Sequence, residues 1–438
     1  MRKKPADGAT PGRHRPQFDP TVPSAWCGWV LGRALVVLLV LGVLKIPHMM
    51  DVTSDVKVIY QGWAEVLRSG TFPMDDVTWQ YPPLAALVML APLAVPASYF
   101  VGFVVLIGLC DALGLWLLLR LRRSGTERTD GTSRNRAGVW LWVVVPPLLG
   151  PTLYARFDLV VTVVAMAALV ALVRRPKLAG VLTAVGAMLK VWPVLLLIGA
   201  GRGRRWRKVV TSCALSAALV GFLFLVSTHG AFSFLGFQEG RGIEVESLGA
   251  LPFLFASVFL HWQGTVAMNY GSLEVLGPHV ATMSGVMVAS SVIAFALLAL
   301  WRLRVRNWTP ATAADAGLTA VLLFVVTSRV ISPQYLLWLV GLAAVCLTLR
   351  GSVMRPVAWL VAVAVPVTTV EFPFMFGQLT GRTELGLVII GTRNLLLLAA
   401  AVLAFVRLWR ATVSSASPEL PQVPDAVERE RDAEEVSA

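Results

Sequence analysis

One acidic residue opens an amphipathic segment that separates two long apolar runs. The stretch SDVKVIYQGWAEVLRSG starts at residue 54, and Asp55 is its second residue. A carboxylate that contacts water can remove a proton from a hydroxyl group, so Asp55 is a candidate general base. Aspartate is also among the best residues for capping a helix, because free N–H groups and the helix dipole favour a negative charge there. Helix geometry alone leaves both roles open.

Three basic residues beside apolar runs are candidates for binding a phosphate group. They are Arg156 in YARFD, Lys190 in LKVWP and Arg329 in SRVIS. Arginine offers a planar fork for bidentate contacts, and lysine offers a point charge. Simpler roles are open as well: Arg156 can pair with Asp158, and Lys190 can end a helical hairpin and reach lipid headgroups.

A further set of polar and aromatic residues next to apolar helices are candidates for substrate binding. Ionisable groups at membrane depth are costly and usually functional. The set is Tyr60, Asp75, Asp76, Trp79, Tyr81, Asp158, Arg241, Glu244, Glu246 and Gln334. For the charges between residues 241 and 246, a solvated loop whose charges pair with one another is the alternative.

Membrane helices must position these residues. Of the 438 residues, 56% are hydrophobic and only 14% are charged, whereas about a quarter of a soluble chain is charged. Apolar runs bounded by arginine clusters predict an all-α polytopic membrane protein with about eleven to thirteen spans. The net charge of +13 resides in short loops between these runs, which argues against nucleic-acid binding. The four cysteines have no metal-binding spacing.

The basic loops predict the orientation of the chain. The positive-inside rule places the loops RLRR, RRPK, RGRRWRK and RLRVR, together with both termini, in the cytoplasm. Residues 48–82 then form the first outer loop, and residues 228–280 form the second. Nearly all the polar candidates fall on this outer face, which predicts one chamber open to the outside of the plasma membrane.

The domain boundaries follow from composition. Residues 1–25 and 411–438 are predicted to be disordered cytoplasmic tails, and residues 26–410 form the membrane domain. Residues 178–200 predict a short hairpin that turns outward at Lys190–Pro193, since proline breaks a helix. Residues 82–120 leave two possibilities open: either the stretch 83–95 is re-entrant, or one basic loop breaks the positive-inside rule.

The first outer loop contains an amphipathic helix. Apolar residues recur with helical spacing between residues 55 and 69, at Val56, Ile59, Tyr60, Trp63, Val66 and Leu67. About four turns cannot span a bilayer, so this helix is predicted to lie along the outer interface.

Several blocks, in order, resemble one known family. SDVKVIYQGWAEVLRSG, YPPLAAL, RFDLVVTVVAMAAL, LKVWPVLLL and SRVISPQYLLWL resemble blocks of glycosyltransferase family 87, the polyprenyl-phosphomannose-dependent α-mannosyltransferases of the GT-C superfamily. The resemblance covers roughly residues 50–345. It implies a GT-C-type bundle with a juxtamembrane helix, no metal, and Asp55 as the catalytic aspartate. Pro73-Met74 stands where the family commonly has Pro-Tyr.

The resemblance also implies a reaction. A sugar, expected to be mannose, passes from a polyprenyl-phosphate donor to a hydroxyl group of a glycolipid or glycan on the outer face. The lipid phosphate leaves as an anion, so one base and a basic clamp for the phosphate are sufficient, and direct displacement inverts the anomeric carbon. No cofactor is expected, and the chain has no Walker A or strand-based GxGxxG motif for a nucleotide sugar.

Two alternatives use the same polar residues. A transporter or lipid-sugar flippase would need inverted repeats with interrupted helices, and no internal repeat is visible. A scaffold for envelope assembly would leave the outer charged residues unexplained.

Overall fold

The computed structural model describes residues 19–124, 135–238 and 240–414. Its α-helices are α1 (Thr21–Val40), α2 (Gln61–Leu67), α3 (Ala85–Leu90), α4 (Tyr99–Ser124), α5 (Ala137–Val144), α6 (Asp158–Arg174), α7 (Pro176–Leu189), α8 (Arg204–Ser227), α9 (Leu251–Phe259), α10 (Val280–Arg304), α11 (Pro310–Thr327), α12 (Tyr335–Thr348), α13 (Arg355–Thr369), α14 (Phe376–Thr380) and α15 (Glu384–Trp409). The strands are β1 (Ile243–Glu244), β2 (Thr265–Asn269) and β3 (Ser272–Leu276).

The helices confirm an all-α polytopic membrane protein. Within the described residues, seven helices are long and apolar enough to cross a membrane, and shorter apolar helices lie between them. The long ones begin at Thr21, Tyr99, Arg204, Val280, Pro310, Arg355 and Glu384. Helix α12 is shorter but almost completely buried, because it is surrounded by other helices of the bundle.

The structure moves both predicted tail boundaries. Helix α1 begins at Thr21 rather than residue 26, since the Asp19 carboxylate accepts the Thr21 N–H at 3.1 Å. A π-helical turn, Arg410–Ser414, continues α15 beyond residue 410. It is held in place because the Thr412 carbonyl accepts the backbone N–H of Arg306 at 3.0 Å. The rest of the two predicted tails, residues 1–18 and 415–438, lies outside the described residues.

Residues 83–95 and 176–199 form short helical segments. Helix α7 ends at Leu189, and the 3₁₀ segment Trp192–Gly199 returns from it, so residues 176–199 form the predicted hairpin with Lys190 at its turn. Helix α3 lies beside this turn, because the Leu84 N–H donates to the Met188 carbonyl at 2.9 Å. At the start of α4, the Tyr99 hydroxyl donates to the Met89 carbonyl of α3 at 2.9 Å. The stretch 83–95 is therefore a short segment at this end of the bundle and not a full span.

A buried ion pair joins α1 to α4. The Arg33 guanidinium contacts both carboxylate oxygens of Asp111, at 2.8 and 3.2 Å. Its remaining N–H groups donate to the carbonyls of Trp142 and Val143, and the Tyr154 hydroxyl donates to Asp111. Because every polar contact is made within the protein, this pair can lie in the bundle interior.

The second outer loop folds into a small antiparallel sheet, which the all-helical prediction did not include. Its strand order is β1-β3-β2. The Gln80 side chain of the first loop donates to the Tyr270 carbonyl at 2.7 Å, and thereby joins the two loops.

Candidate active site

Asp55 faces the protein and forms an ion pair with Arg156. It begins the π-helical turn Asp55–Tyr60 that precedes α2, and Ser54 rather than Asp55 occupies the N-cap position of this turn. Arg156 Nη2 lies 3.0 Å from the Asp55 carboxylate. Arg156 Nη1 donates to the carbonyls of Val52 at 3.1 Å and Ala155 at 2.8 Å. The capping role for Asp55 is therefore wrong, and so is the pairing of Arg156 with Asp158.

Asp158 pairs with Lys190 instead. It is the first residue of α6, and its Oδ1 atom lies 2.7 Å from Lys190 Nζ at the hairpin turn. The indole Nε1 of Trp338 donates to the same oxygen at 2.8 Å. Two hydrogen bonds, one from the hairpin turn and one from α12, thus fix a carboxylate that is almost fully buried.

Aromatic rings surround the Lys190 ammonium group. Its Nζ lies 4.9 Å from the ring centre of Trp338 and 5.2 Å from that of Tyr335. The rings of Phe157 and Tyr81 are 5.5 and 5.6 Å away. Burial lowers the pKa of Lys190, and the Asp158 carboxylate opposes this effect. The cation is consequently held at a defined position with little freedom to reach lipid headgroups.

Tyr60 and Tyr81 lie close enough to both ion pairs for the charges of Asp55, Arg156 and Asp158 to act on them. Burial raises the pKa of Tyr81, and the nearby carboxylates of Asp158 and Asp55 raise it further. Burial likewise raises the pKa of Tyr60. Both phenols therefore stay protonated at neutral pH, and both can donate a hydrogen bond to a substrate oxygen.

The second outer loop brings Arg241 and Glu244 to the same region. The charge of Arg241 acts on Tyr81, Lys190 and Glu244. Its Nε atom is buried and has no hydrogen-bond partner among the described residues. Arg329 lies behind it: Arg329 Nη1 donates to the Arg241 carbonyl at 2.6 Å and to Ser284 Oγ at 3.2 Å. Arg329 therefore holds the loop that carries Arg241.

Glu244 holds the start of the segment that leads into α12. Its carboxylate accepts the Ile331 N–H at 2.8 Å and the Ser332 hydroxyl at 3.4 Å. Gln334 lies two residues further along and is half-buried. Burial raises the pKa of Glu244, and the charge of Arg241 lowers it.

Glu246 turns away from the Asp55 region. It packs against Arg393 of α15, whose Nη2 donates to the Glu246 carbonyl at 3.0 Å and lies 3.5 Å from its carboxylate. With 5% of its surface exposed, Glu246 is enclosed by protein groups, so neither a solvated loop nor an open sugar-binding position describes it.

The adjacent aspartates of the first outer loop have different environments. The Asp76 carboxylate accepts hydrogen bonds from Trp63 Nε1 at 2.8 Å and from the Thr78 N–H at 2.9 Å. Burial raises its pKa, but these hydrogen bonds outweigh that effect, so the net shift is downward. Asp75 is exposed. Asp76 therefore orders the loop around Trp63, whose ring contacts Trp79 at 5.1 Å.

A cavity of about 700 Å³ lies between the helical residues 58–66 and the loop residues 71–78. Its lining includes Ile59, Val66, Trp63 and Asp75. Ile59 and Val66 of the predicted apolar face are exposed, whereas Tyr60 and Trp63 of the same predicted face are buried in the protein. The lining of the cavity does not include Asp55 or Lys190.

Solvent exposure distinguishes Asp55 from the other three charges. Its side chain is 34% exposed, compared with 11% for Arg156, 2% for Asp158 and 15% for Lys190. An accessible carboxylate beside fixed cations can take a proton from a hydroxyl group while the cations bind an anion. The described residues contain no group of three or more His, Cys, Asp or Glu side chains placed to hold a metal ion.

Several residues around the ion pairs were not predicted from the sequence. Trp338, Phe157 and Tyr335 look like ordinary apolar helix residues, and only the fold shows that they surround Lys190. Arg393 was detectable as a charge inside an otherwise apolar run.

The described residues form a polytopic membrane protein with two neighbouring ion pairs, Asp55 with Arg156 and Asp158 with Lys190. The model of glycosyltransferase family 87 matches residues 79–333, which is more than half of the chain. The chain belongs to this family and hence to the GT-C superfamily, and it is a glycosyltransferase. No curated protein and no solved structure matches it. Arg156, Lys190 and Arg329 lie inside the matched region, whereas Asp55 and Tyr60 precede it.

Proposed function

We propose that this glycosyltransferase moves a sugar, expected to be mannose, from a polyprenyl-phosphate donor to an acceptor hydroxyl group. Asp55 acts as the general base, and Arg156 and Lys190 bind the donor phosphate. The acceptor is a hydroxyl group of a glycolipid or glycan. The active site faces the outside of the plasma membrane, with both termini in the cytoplasm, as the basic loops require.

The main support is the pairing of a half-exposed Asp55 with a buried Arg156. The guanidinium lies between two backbone carbonyls and the carboxylate, so it fixes the direction of the Asp55 side chain. The Lys190 ammonium lies over the ring of Tyr81, and the charges of Asp55 and Arg156 act on the same tyrosine. A base and two neighbouring cations match the needs of transfer from a lipid phosphate.

The step balances with these residues alone. The acceptor oxygen attacks the anomeric carbon and gives its proton to Asp55. The bond between that carbon and the phosphate oxygen breaks at the same time, and its electron pair leaves with the phosphate. No general acid is required because the leaving group is already an anion. Attack from the opposite side inverts the anomeric configuration.

Eight of the other predicted residues divide into two groups by position. Tyr60, Tyr81, Arg241 and Glu244 adjoin the charged cluster and bind substrate hydroxyl or phosphate groups, and Asp158 orients Lys190. Trp79, Asp76 and Arg329 support the loops that carry them.

A donor comparison tests this function. The purified protein is incubated with a radiolabelled polyprenyl-phosphate sugar or with the matching nucleotide sugar, together with lipid acceptors. We expect product only from the lipid donor, with the anomeric configuration inverted. Direct use of the nucleotide sugar, or retention of configuration, would contradict the proposal.

A further inference from the structure

A second pocket, of about 480 Å³, lies at the end of the bundle where α8 begins and where α10 and α15 end. We call this the basic end, and the positive-inside rule predicts that it faces the cytoplasm. Neither Asp55 nor Lys190 lines the pocket, so it is separate from the candidate active site. The lining consists of three arginines and three apolar residues: Arg202, Arg304, Arg306, Leu303, Val305 and Val413.

Two arginines join the segment before α8 to the end of α10. Arg202 Nη2 donates to the carbonyls of Arg302 at 3.0 Å and Leu303 at 3.1 Å. Arg302 Nη2 donates in return to the Gly201 carbonyl at 3.2 Å, and its guanidinium lies 4.5 Å from the ring centre of Trp308. Backbone carbonyls are neutral acceptors, so these contacts fix the two guanidinium groups without cancelling their charge.

The turn that follows α15 supplies the third wall of the pocket. Trp301 Nε1 donates to Thr412 Oγ1 at 2.9 Å. The backbone N–H groups of Arg306 and Asn307 donate to the Thr412 carbonyl at 3.0 and 3.2 Å. Val413, the next residue, lines the pocket. The backbone that carries Arg306 is therefore held in place before a ligand binds, which lowers the entropy lost on binding.

The positive charges around the pocket have no counter-charge within the ranges that the structure describes. No carboxylate there forms an ion pair with any of the three lining arginines or with Arg302. Among the same residues, the buried Nη1 atom of Arg302 has no hydrogen-bond partner. A cleft lined by charges of one sign concentrates ions of the opposite sign. The lining therefore predicts an anionic ligand.

The apolar part of the lining favours a lipid over a soluble anion. Leu303 is 78% exposed. In the most apolar stretches of α8 and α10, only 11% and 17% of the residues are buried, so these two helices face lipid along most of their length. A phospholipid can place an acyl chain along Leu303 and its phosphate among the arginines, whereas a free phosphate makes only the second contact. Basic pockets between membrane helices are known to bind anionic head groups.

We propose that the pocket lined by Arg202, Arg304 and Arg306 binds the head group of an anionic phospholipid. The guanidinium groups bind the phosphate oxygens through charge-assisted hydrogen bonds. The bound lipid contacts the segment before α8, the end of α10 and the turn after α15, and thereby stabilises the folded protein. This site does not rest on the proposed sugar transfer, because none of its residues belongs to the candidate active site.

Lipid binding to the purified full-length protein tests this site. The midpoint of thermal unfolding in detergent is measured over a concentration series of phosphatidylglycerol, phosphatidylcholine or inorganic phosphate, and native mass spectrometry counts the bound lipid. We expect a saturable rise of the midpoint with phosphatidylglycerol and a much smaller rise with the other two. Arg304→Gln/Arg306→Gln should weaken the affinity for phosphatidylglycerol roughly 10- to 30-fold, because two of the three lining cations are lost.

A matched variant controls for the overall charge of the basic end. Arg175→Gln/Lys177→Gln also removes two exposed cations, from the connection between α6 and α7, and neither residue lines the pocket. It should bind phosphatidylglycerol like the wild type. Arg304 and Arg306 are exposed as well, so both double variants should unfold at the wild-type midpoint when no lipid is added. Arg304→Lys/Arg306→Lys keeps both charges and should keep most of the affinity.

The segment 415–438 is the competing occupant, because it directly follows the turn at the pocket and contains seven acidic and two basic residues. A protein that ends at Ser414 should bind phosphatidylglycerol with the same affinity as the full-length chain. Binding by the shortened protein alone would overturn the lipid site in favour of this segment.

Three other outcomes would also overturn the proposal. Equal affinity of the wild type and Arg304→Gln/Arg306→Gln would show that the pocket does not bind the lipid. An equal loss in Arg175→Gln/Lys177→Gln would reduce the effect to the general charge of this end. Equal stabilisation by phosphatidylcholine or by inorganic phosphate would rule out a site that requires both a negative head group and an acyl chain.

Discussion

Replacement of Lys190 separates its contribution to stability from its contribution to activity. Lys190→Met removes the ammonium group but keeps the length of the side chain. The Asp158 carboxylate then keeps only the hydrogen bond from Trp338 at 2.8 Å. It stays buried, with 1% of its surface exposed and no compensating cation.

The expected loss in the free energy of unfolding follows from this burial. Removal of one partner of a buried ion pair costs about 3–5 kcal/mol, because the other charge is left uncompensated. Lys190 retains some exposure, at 15%, so the lower end, about 3 kcal/mol, applies. The second change, Asp158→Asn, removes the stranded charge while the amide oxygen still accepts the Trp338 N–H. The double variant should therefore recover most of the lost stability.

Activity should not recover with stability. The phosphate has lost a fixed cation in both variants, which costs roughly 10²- to 10³-fold in turnover. Thermal unfolding in detergent and sugar transfer are measured for the wild type, Lys190→Met and Lys190→Met/Asp158→Asn. Full activity in the double variant would refute the phosphate-binding role, and wild-type stability of Lys190→Met would refute the buried ion pair.

Three further changes test other contacts. Arg156→Lys keeps the charge beside Asp55 but loses the planar fork, so turnover should fall while expression is preserved; wild-type turnover would show that the fork is dispensable. Arg33→Met leaves Asp111 buried without its partner and should lower the unfolding free energy by about 3–5 kcal/mol; Arg33→Met/Asp111→Asn should recover part of this loss, and a single variant as stable as the wild type would contradict the pair. The lowered pKa of Asp76 contributes stability that is present above the usual aspartate pKa and lost as pH falls through its folded pKa. Asp76→Asn should remove this pH-dependent contribution from acid unfolding curves. An unchanged curve would contradict the stabilising role of the ionised Asp76.

The helical fold and much of the site could be predicted from the sequence. Apolar runs with basic boundaries specify membrane helices, and Pro193 after Lys190 specifies a turn, because these are local signals. Asp55, Arg156, Asp158 and Lys190 stand out as charges beside apolar runs. Local patterns were sufficient to find them.

The partners of these charges could not be predicted. Asp55 pairs with Arg156 rather than capping its helix, because contact between distant parts of the chain outweighs the local preference. Trp338 carries no sequence signal for its hydrogen bond to Asp158, since an indole in an apolar run is usually a packing residue. The small sheet of the second loop depends on pairing between β1 and β3, about thirty residues apart.

The most direct test of the central claim is the rate of sugar transfer by Asp55→Asn. Glu65→Gln makes the same chemical change at an exposed position of the same helix and serves as the control. With a polyprenyl-phosphate donor, Asp55→Asn should lose roughly 10²- to 10⁴-fold in turnover, while Glu65→Gln keeps full activity and both proteins bind the donor. Full turnover by Asp55→Asn would contradict the assignment of Asp55 as the base.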